Sequence, residues 1–170
     1  MNAIIDYLDA LTRLGASPDQ HAFFVQQRKD ARPVDVVSIA SVLSCKNIVA
    51  IERVIGIAKR QCYRNASLFV NIVSNFHADL GPCKYVEGFV VSPGLFPIEH
   101  AFVKIGDRYF DPTFELALGE DVSKSEYVSL VEIGIDELGR IEAETGVYGG
   151  IYRHKYIKRL QGRKTAKAGK

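Results

Sequence analysis

Three residues in the middle of the chain carry the chemical groups of a thiol-based catalytic site. They are Cys62, His100 and Asp111, which supply a thiol, an imidazole and a carboxylate in that order. A cysteine becomes a strong nucleophile once a base takes its proton, and the base works best when a third group orients it. The residue types therefore indicate nucleophilic catalysis, provided that the fold brings these side chains together.

The nucleophile candidate lies at the start of a predicted helix. Apolar residues recur at helical spacing over residues 62–76, and the stripe consists of Cys62, Ala66, Phe69, Val73 and Phe76. At a helix N-terminus, free backbone N–H groups and the positive end of the helix dipole favour a thiolate. The pattern therefore predicts an inward-facing Cys62 thiol with a depressed pKa.

A predicted hairpin supplies the other two groups. Residues 98–105 and 108–111 have the pattern of short strands joined by a two-residue Gly-Asp turn. In this register Phe102 pairs with Asp111, so His100 and Asp111 are diagonal neighbours on one face of the sheet. Such neighbours lie roughly 7–8 Å apart at the backbone, which an imidazole–carboxylate hydrogen bond can span.

The remaining elements predict an α+β domain. Helices are expected over residues 2–14, 17–29, 35–45 and 47–59, before the helix that begins at Cys62. The strands are expected over residues 84–91, 98–105, 108–111 and 122–133, and two further helices over residues 135–145 and 152–162. The expected architecture is an N-terminal helical layer, with the nucleophile helix packed on a small antiparallel β-sheet.

Length and composition favour one globular domain. The chain has 170 residues, of which 47% are hydrophobic, and no run of about 18 apolar residues spans a bilayer. Its start lacks the basic residues and the long apolar stretch of a secretory signal, so we expect a cytoplasmic protein without membrane contact. We place the domain at residues 1–162 and expect residues 163–170 to form a basic, disordered tail.

The cysteines and histidines do not predict a metal site. The three cysteines, Cys45, Cys62 and Cys83, are an odd number without a CxxC pair, and the histidines are scattered. Cys45 and Cys83 are predicted to be buried, inert thiols of a reducing compartment. No metal and no cofactor is expected.

The motifs around these three residues resemble the transglutaminase-like superfamily, a branch of the papain-like cysteine hydrolases. That family combines a cysteine at a helix start with an Arg-Tyr-Val-x-Gly-Tyr strand, a His-Ala-Trp strand and an Asp-Pro-Thr end. This chain has Cys62, then Lys84-Tyr85-Val86-Glu87-Gly88-Phe89, His100-Ala101-Phe102 and Asp111-Pro112-Thr113. The resemblance covers about fifty residues. It departs from the family at Phe102, where tryptophan is preferred, and at Lys84, where arginine is usual.

The resemblance implies a papain-like fold and assigns a role to each of the three residues. Cys62 would be the nucleophile, His100 the general base and then acid, and Asp111 the orienting carboxylate. The Cys62 backbone N–H and the Gln61 side chain are the candidate oxyanion donors, and Gln61 is alternatively a polar surface residue.

Three further residues are candidates for substrate contact. Glu87 either lines the cleft or makes a structural hydrogen bond. Asn65 either contacts substrate or is an exposed or loop-contacting residue. Phe102 is expected to pack beside the site.

The C-terminal segment is strongly basic. Residues 151–170 contain eight Lys or Arg and no Asp or Glu. The candidate cluster is Arg153, Lys155, Lys158, Arg159, Arg163 and Lys164. Such a cluster either contacts nucleic acid phosphates or an acidic protein, or forms a solvated helix end with a solubilising tail.

Three functions follow as hypotheses. The leading one is a thiol enzyme that cleaves or deamidates an amide, peptide or isopeptide bond of a protein or peptide substrate through a thioester intermediate. A non-catalytic papain-like binding module that uses its basic end is the alternative, and a protein transglutaminase is the second alternative. The residues do not decide whether water or an amine accepts the acyl group.

Overall fold

The computed structural model describes residues 2–15 and 17–168, with side chains described up to residue 162. Its helices are α1 (Ala3–Leu14), α2 (Pro18–Asp30), α3 (Cys45–Ile55), α4 (Cys62–Phe76), α5 (Ile135–Thr145) and α6 (Ile151–Ala168). Its strands are β1 (Arg32–Val34), β2 (Cys83–Val91), β3 (Ile98–Ile105), β4 (Arg108–Phe110) and β5 (Glu126–Gly134). The α+β class expected from the sequence is confirmed. No helix in the described ranges is long and apolar enough to span a bilayer.

The five strands form one curled antiparallel sheet in the order β1-β5-β2-β3-β4. Its two edges approach each other, because Val36, just after β1, forms a bridge with Tyr109 of β4. A bulge interrupts the pairing of β2 with β5 between Glu87 and Gly88. A Cβ atom at Gly88 would lie 1.8 Å from the Val128 carbonyl oxygen, so only glycine is accommodated there.

Helices cover one face of the sheet, and α4 lies over its centre. The residues of α4 that are buried in this layer are Ala66, Phe69, Val70 and Val73. The sheet residues of the same cluster include Tyr85, Ala101, Val103, Ile105 and Ile133. Helix α1 packs on the same face nearer the other end of β2, with Ile4 and Leu8 against Phe89 and Val128. The opposite face buries Val86, Val90, Phe102, Val122 and Tyr127. The site candidates therefore belong to elements that are firmly packed on both sides.

The helix predicted over residues 35–45 is wrong, whereas the one predicted over residues 47–59 is present as α3, which begins at Cys45 and ends at Ile55. The chain remains extended up to Ser38 and makes one 3₁₀ turn at Ile39–Ser41, and α3 begins only at Cys45. Helix α3 begins there because the Ser44 side chain caps it by accepting a hydrogen bond from Asn47 N at 3.3 Å. The short strand β1, which was not predicted, forms because its backbone pairs with β5.

Two other boundaries also differ from the prediction. The strand expected over residues 122–133 begins at Glu126, because Val122–Lys124 form a 3₁₀ turn capped by Asp121. The last helix continues past residue 162 to Ala168. Residues 169 and 170, and all side chains from residue 163 onward, lie outside the described part of the chain, so the disorder expected for residues 163–170 stays a prediction.

Candidate active site

Cys62 is the first residue of α4, as predicted, and a buried amide fixes the loop that precedes it. The Asn65 side chain, 0% exposed, donates from Nδ2 to Ala58 O at 2.7 Å and accepts from Ala58 N at 3.2 Å. Asn65 Nδ2 also donates to Thr113 Oγ1 at 3.1 Å. Asn65 thus contacts the loop, as the alternative expected, and it is too deeply buried to touch a substrate.

The turn just before the nucleophile has a strained backbone. Arg60 has a φ of 62°, in the left-handed region that costs a residue other than glycine about 1–2 kcal/mol. The two Asn65 bonds to Ala58 hold this turn in place. The turn leads directly into Gln61, whose exposed side chain does not cap α4. Gln61 therefore stays a prediction as an oxyanion donor.

His100 and Asp111 form the hydrogen bond that the hairpin register predicts. Ile105 pairs with Arg108 across the turn, and Asp111 follows the last residue of β4. His100 Nε2 lies 2.7 Å from Asp111 Oδ2, and the two side chains are only 3% and 0% exposed. Because Nε2 is engaged by the carboxylate, Nδ1 is the imidazole nitrogen that remains for the thiol.

Four donors surround the Asp111 carboxylate. Oδ1 accepts hydrogen bonds from the backbone N–H groups of Thr113 and Phe114, both at 3.0 Å. Oδ2 accepts from the Tyr127 hydroxyl at 3.0 Å, in addition to its bond with His100. This full complement compensates the burial of the charge and holds the carboxylate in one orientation.

The thiol and the imidazole shift each other's pKa in opposite directions. Burial tends to raise the pKa of Cys62, but the hydrogen bond and the charge of His100, with a backbone hydrogen bond to Ala101, bring it below its ordinary value of 9.0. Burial tends to lower the pKa of His100, but the charge and hydrogen bond of Asp111, with the contribution of Cys62, raise it from 6.5 to about 10. Both shifts favour a thiolate beside an imidazolium.

Glu87 makes a structural set of hydrogen bonds. The side chain is 6% exposed, and Oε1 accepts from the Tyr85 hydroxyl at 2.8 Å and from Ile151 N at 3.0 Å. Oε2 accepts from Tyr152 N at 2.8 Å. Glu87 thus caps the start of α6, which is the structural alternative for this residue. Burial raises its pKa, although these hydrogen bonds act in the opposite direction.

Phe102 supports the imidazole from within the sheet. Its ring is fully buried and stacks on His100, with the centroids 6.5 Å apart and the planes inclined by 15°. The Phe114 ring meets the same imidazole edge-on at 5.2 Å. Since Phe102 is 0% exposed, it packs beside the site, as expected, and does not reach a substrate.

The described part of the basic cluster is engaged within the chain. Arg153 lies over the Phe23 ring at 5.2 Å, and the ion pairs are Lys155 with Glu137 at 2.7 Å, Lys158 with Glu144 at 2.5 Å and Arg159 with Asp30 at 3.7 Å. The side chains of Arg163 and Lys164 lie outside the described residues. The four described cations thus favour the solvated helix end over a free phosphate-binding surface.

The other two cysteines behave differently from each other. Cys83 is buried, as predicted, whereas Cys45 is exposed, so its predicted burial is wrong. Cys45 is exposed because it opens α3 at the surface instead of ending a packed helix. No group of three or more His, Cys, Asp or Glu side chains among the described residues is arranged to hold a metal ion.

Two contributors to the site escaped the sequence analysis. Tyr127 belongs to a predicted strand, but nothing in its spacing indicates that β5 brings its hydroxyl to Asp111. Gln27 is a polar residue on α2 and reads as surface, yet it is buried beside the site. Both positions depend on the order of the strands and the packing of helices distant in sequence.

The comparisons with known proteins give no relative for this chain. No family model matches it, and neither a curated protein nor a solved structure is significantly similar to it. The proposed function therefore rests on the arrangement of Cys62, His100 and Asp111.

Proposed function

We propose that the protein is a thiol-dependent acyl-transfer enzyme of the papain-like, transglutaminase-like kind that hydrolyses or deamidates an amide bond of a protein or peptide. The observation that carries the proposal is the buried His100–Asp111 hydrogen bond of 2.7 Å next to a cysteine at a helix start. A thiolate–imidazolium pair of this kind is typical of nucleophilic cysteines. The burial of His100 and Asp111 supports a preorganised site.

In the first half of the reaction, the Cys62 thiolate attacks the carbonyl carbon of the amide. The C–S bond forms while the C=O π electrons move to oxygen, and the N–H groups at the start of α4, with Gln61 as a further candidate, stabilise the oxyanion. The tetrahedral intermediate then collapses, and the C–N bond breaks as the His100 imidazolium gives its proton to the leaving nitrogen. The products are a free amine or ammonia and a thioester on Cys62.

In the second half, water resolves the thioester. Neutral His100 takes a proton from the attacking water, the C–O bond forms, and the Cys62 thiolate leaves. A carboxylic acid is released and the thiolate–imidazolium pair is restored. Transglutamination would differ only in the acceptor, with an amine in place of water, and hydrolysis requires no second substrate site.

The alternative of a non-catalytic binding module has less support. Its basic surface would need free cations, whereas Arg153, Lys155, Lys158 and Arg159 have partners within the chain. We therefore advance only the enzyme as a proposal.

The proposal is tested by the pH dependence of iodoacetamide labelling, followed by mass spectrometry. Cys62 should be alkylated at pH 7 at least tenfold faster than Cys45, an exposed thiol that serves as reference within the same molecule. His100→Ala should remove that advantage, while the rate of Cys45 stays unchanged. Equal rates for Cys62 and Cys45 at pH 7, with no response to His100→Ala, would contradict the proposal.

A further inference from the structure

An apolar hollow of about 250 Å³ lies at the end of β2 and the start of β3. The described residues that line it are all uncharged, and they are Val90, Ser92, Leu95, Phe96, Ile98 and Phe114. Ile98 precedes His100 by two residues on β3, and residues two apart share a face of a strand. The intervening Glu99 belongs to the opposite face. The hollow therefore adjoins the imidazole along β3.

Phe114 joins the hollow to the candidate active site. Its half-buried ring lines the hollow and also meets the His100 imidazole edge-on, with the two centroids 5.2 Å apart. Its backbone N–H donates to Asp111 Oδ1 at 3.0 Å, so the carboxylate that orients the imidazole also fixes the backbone of Phe114. The hollow is thus continuous with the residues proposed to act on the scissile amide.

The other wall of the hollow exposes large apolar side chains to solvent. Leu95, Phe96 and Ile98 are 69%, 87% and 54% exposed. Neighbouring apolar side chains that remain in water on a folded protein mark ligand grooves or protein contacts. These three side chains form a surface that a bound apolar group would cover.

The turn that carries Leu95 is held at both ends. Leu95 N donates to Ser92 O at 3.0 Å. Pro93 and Gly94 occupy the two central positions, and Gly94 has a φ of 77°, as the second central residue of a type II turn requires. The hydroxyls of Ser92 and Ser125 lie 3.0 Å apart and tie the turn to the residue just before β5. A surface on a fixed backbone binds a ligand at a lower cost in conformational entropy.

We propose that this hollow binds a bulky apolar side chain of the protein or peptide substrate, close to the amide that Cys62 attacks. The inference rests on the proposed function and names the substrate class. The uncharged lining favours an aliphatic or aromatic group, because a charged group would lose water there without gaining a partner of opposite charge. An extended chain advances about 3.3 Å per residue, so a side chain within about two residues of the scissile amide reaches Phe114. Phe96 and Ile98 are then specificity-determining residues.

The test compares two neutral alkylating reagents of equal length. N-hexyl-2-chloroacetamide carries an apolar arm, and N-(2-(2-hydroxyethoxy)ethyl)-2-chloroacetamide carries a polar arm with the same number of non-hydrogen atoms. With rates divided by those of Cys45, the hexyl reagent should label Cys62 about tenfold faster, as the burial of about two methylenes would give. Phe96→Ser and Ile98→Thr should each reduce that preference at least threefold.

Phe76→Ser is the matched control. Phe76 is also an exposed phenylalanine, at 73%, but it is the last residue of α4, roughly 21 Å from Cys62 at 1.5 Å per residue. This variant should leave the preference for the hexyl reagent unchanged. Equal labelling of Cys62 by the two reagents, or a preference that survives both Phe96→Ser and Ile98→Thr, would overturn the inference.

Failure of the proposed function would be visible separately. Slow labelling of Cys62 by plain iodoacetamide contradicts the enzyme, and the hollow is then tested without chemistry in Cys62→Ala protein. Titration with N-hexylacetamide should shift the backbone amide NMR signals of Leu95 and Phe114 saturably, and Phe96→Ser should abolish the effect. The acetamide with the polar arm should cause no saturable shift. Absence of saturation by N-hexylacetamide would overturn the inference whatever the reactivity of Cys62.

A second copy of this chain is the other occupant that the test must separate from a substrate. Sedimentation velocity over a range of protein concentrations should give the same mass for the wild type and Phe96→Ser. A wild-type dimer that Phe96→Ser dissociates would overturn the assignment of the hollow to a substrate.

Discussion

Two buried carboxylates in this fold accept the same kinds of hydrogen bond and yet differ in what they hold in place. Asp111 and Glu87 each accept two backbone N–H groups and one tyrosine hydroxyl, from Tyr127 and Tyr85 respectively. Only Asp111 has a fourth partner, the imidazole of His100 at 2.7 Å. Burial with three hydrogen-bond donors does not by itself distinguish the two acids. The additional imidazole partner is what distinguishes Asp111 from Glu87.

The origin of the backbone donors explains why the two regions diverge. Asp111 takes its N–H groups from the residues that follow it, Thr113 and Phe114, so its orientation is fixed locally. Glu87 takes them from Ile151 and Tyr152, and it thereby holds the start of α6 against the sheet. We expect changes at Asp111 to alter the reactivity of the thiol, and changes at Glu87 to alter stability.

The largest expected effect is that of Asp111→Asn on Cys62. The amide can still accept from the backbone, but it no longer stabilises the imidazolium, whose raised pKa depends on the Asp111 charge. Positioned acid–base groups typically contribute about 10²–10⁴-fold. Iodoacetamide labelling of Cys62 at pH 7 should slow by about 100-fold.

Glu87→Gln is the matched control for that experiment. It removes a buried charge of similar surroundings and should change Cys62 labelling less than threefold. A comparable loss of reactivity in both variants would mean that the two carboxylates do not differ in the way proposed.

Glu87→Gln should instead destabilise the fold by about 2–3 kcal/mol. One amide oxygen cannot replace both carboxylate oxygens, so a buried N–H at the start of α6 loses its acceptor. Urea unfolding followed by circular dichroism measures the change in the free energy of unfolding. An unchanged midpoint would show that Glu87 does not anchor α6.

Much of the candidate site was predictable because it is built from local patterns. The stripe that begins at Cys62 and the Gly-Asp turn each define an element within a few residues, and α4 and the hairpin follow those patterns. Since the turn sets the register, it also sets which side chains are diagonal neighbours, and this brings His100 to Asp111.

The parts that could not be predicted depend on long-range packing. The order β1-β5-β2-β3-β4 places β5 next to β2, and the Tyr127 hydroxyl reaches Asp111 in the curled sheet that these strands form. The bond from Glu87 to Ile151 joins residues 64 positions apart, and the burial of Gln27 depends on where α2 docks. Neither contact leaves a periodic signal in the sequence.

The two regions should also differ in how they link stability to pH. The folded pKa of Glu87 is raised, so its contribution is fully present below the ordinary value of 4.5 and is lost as pH rises through the folded pKa. His100 also has a raised folded pKa, so its contribution is fully present below 6.5 and is lost as pH rises through about 10. Cys62, with a lowered folded pKa, contributes fully above 9.0 and loses that contribution as pH falls through its folded pKa.

Of these three groups, only His100 still changes its contribution to stability above pH 9.0. The difference in the free energy of unfolding between the wild type and the Cys62→Ala, His100→Gln double variant should therefore fall between pH 9 and 10. Over the same range, the difference between the wild type and Glu87→Gln should stay constant. The difference in stability between the wild type and Glu87→Gln should instead change above pH 4.5, as pH rises through the raised folded pKa of Glu87. Urea unfolding at intervals of half a pH unit gives both stability differences as a function of pH. A fall between pH 9 and 10 in the difference between the wild type and Glu87→Gln would contradict the expected contrast between the two regions.

The smallest and most selective effects are expected from the two tyrosines. Tyr127→Phe and Tyr85→Phe each remove one buried hydroxyl donor to a carboxylate, at a cost of about 1–2 kcal/mol in the free energy of unfolding. Only Tyr127 bonds the same oxygen, Asp111 Oδ2, that orients His100. Tyr127→Phe should therefore change Cys62 labelling at pH 7 about two- to fivefold, because loss of the hydroxyl leaves that oxygen free to bind the imidazole differently, whereas Tyr85→Phe should not. Equal Cys62 labelling in the two variants would show that the Tyr127 hydroxyl contributes to stability and not to the orientation of His100. Asp111 would then differ from Glu87 only in its contact with His100.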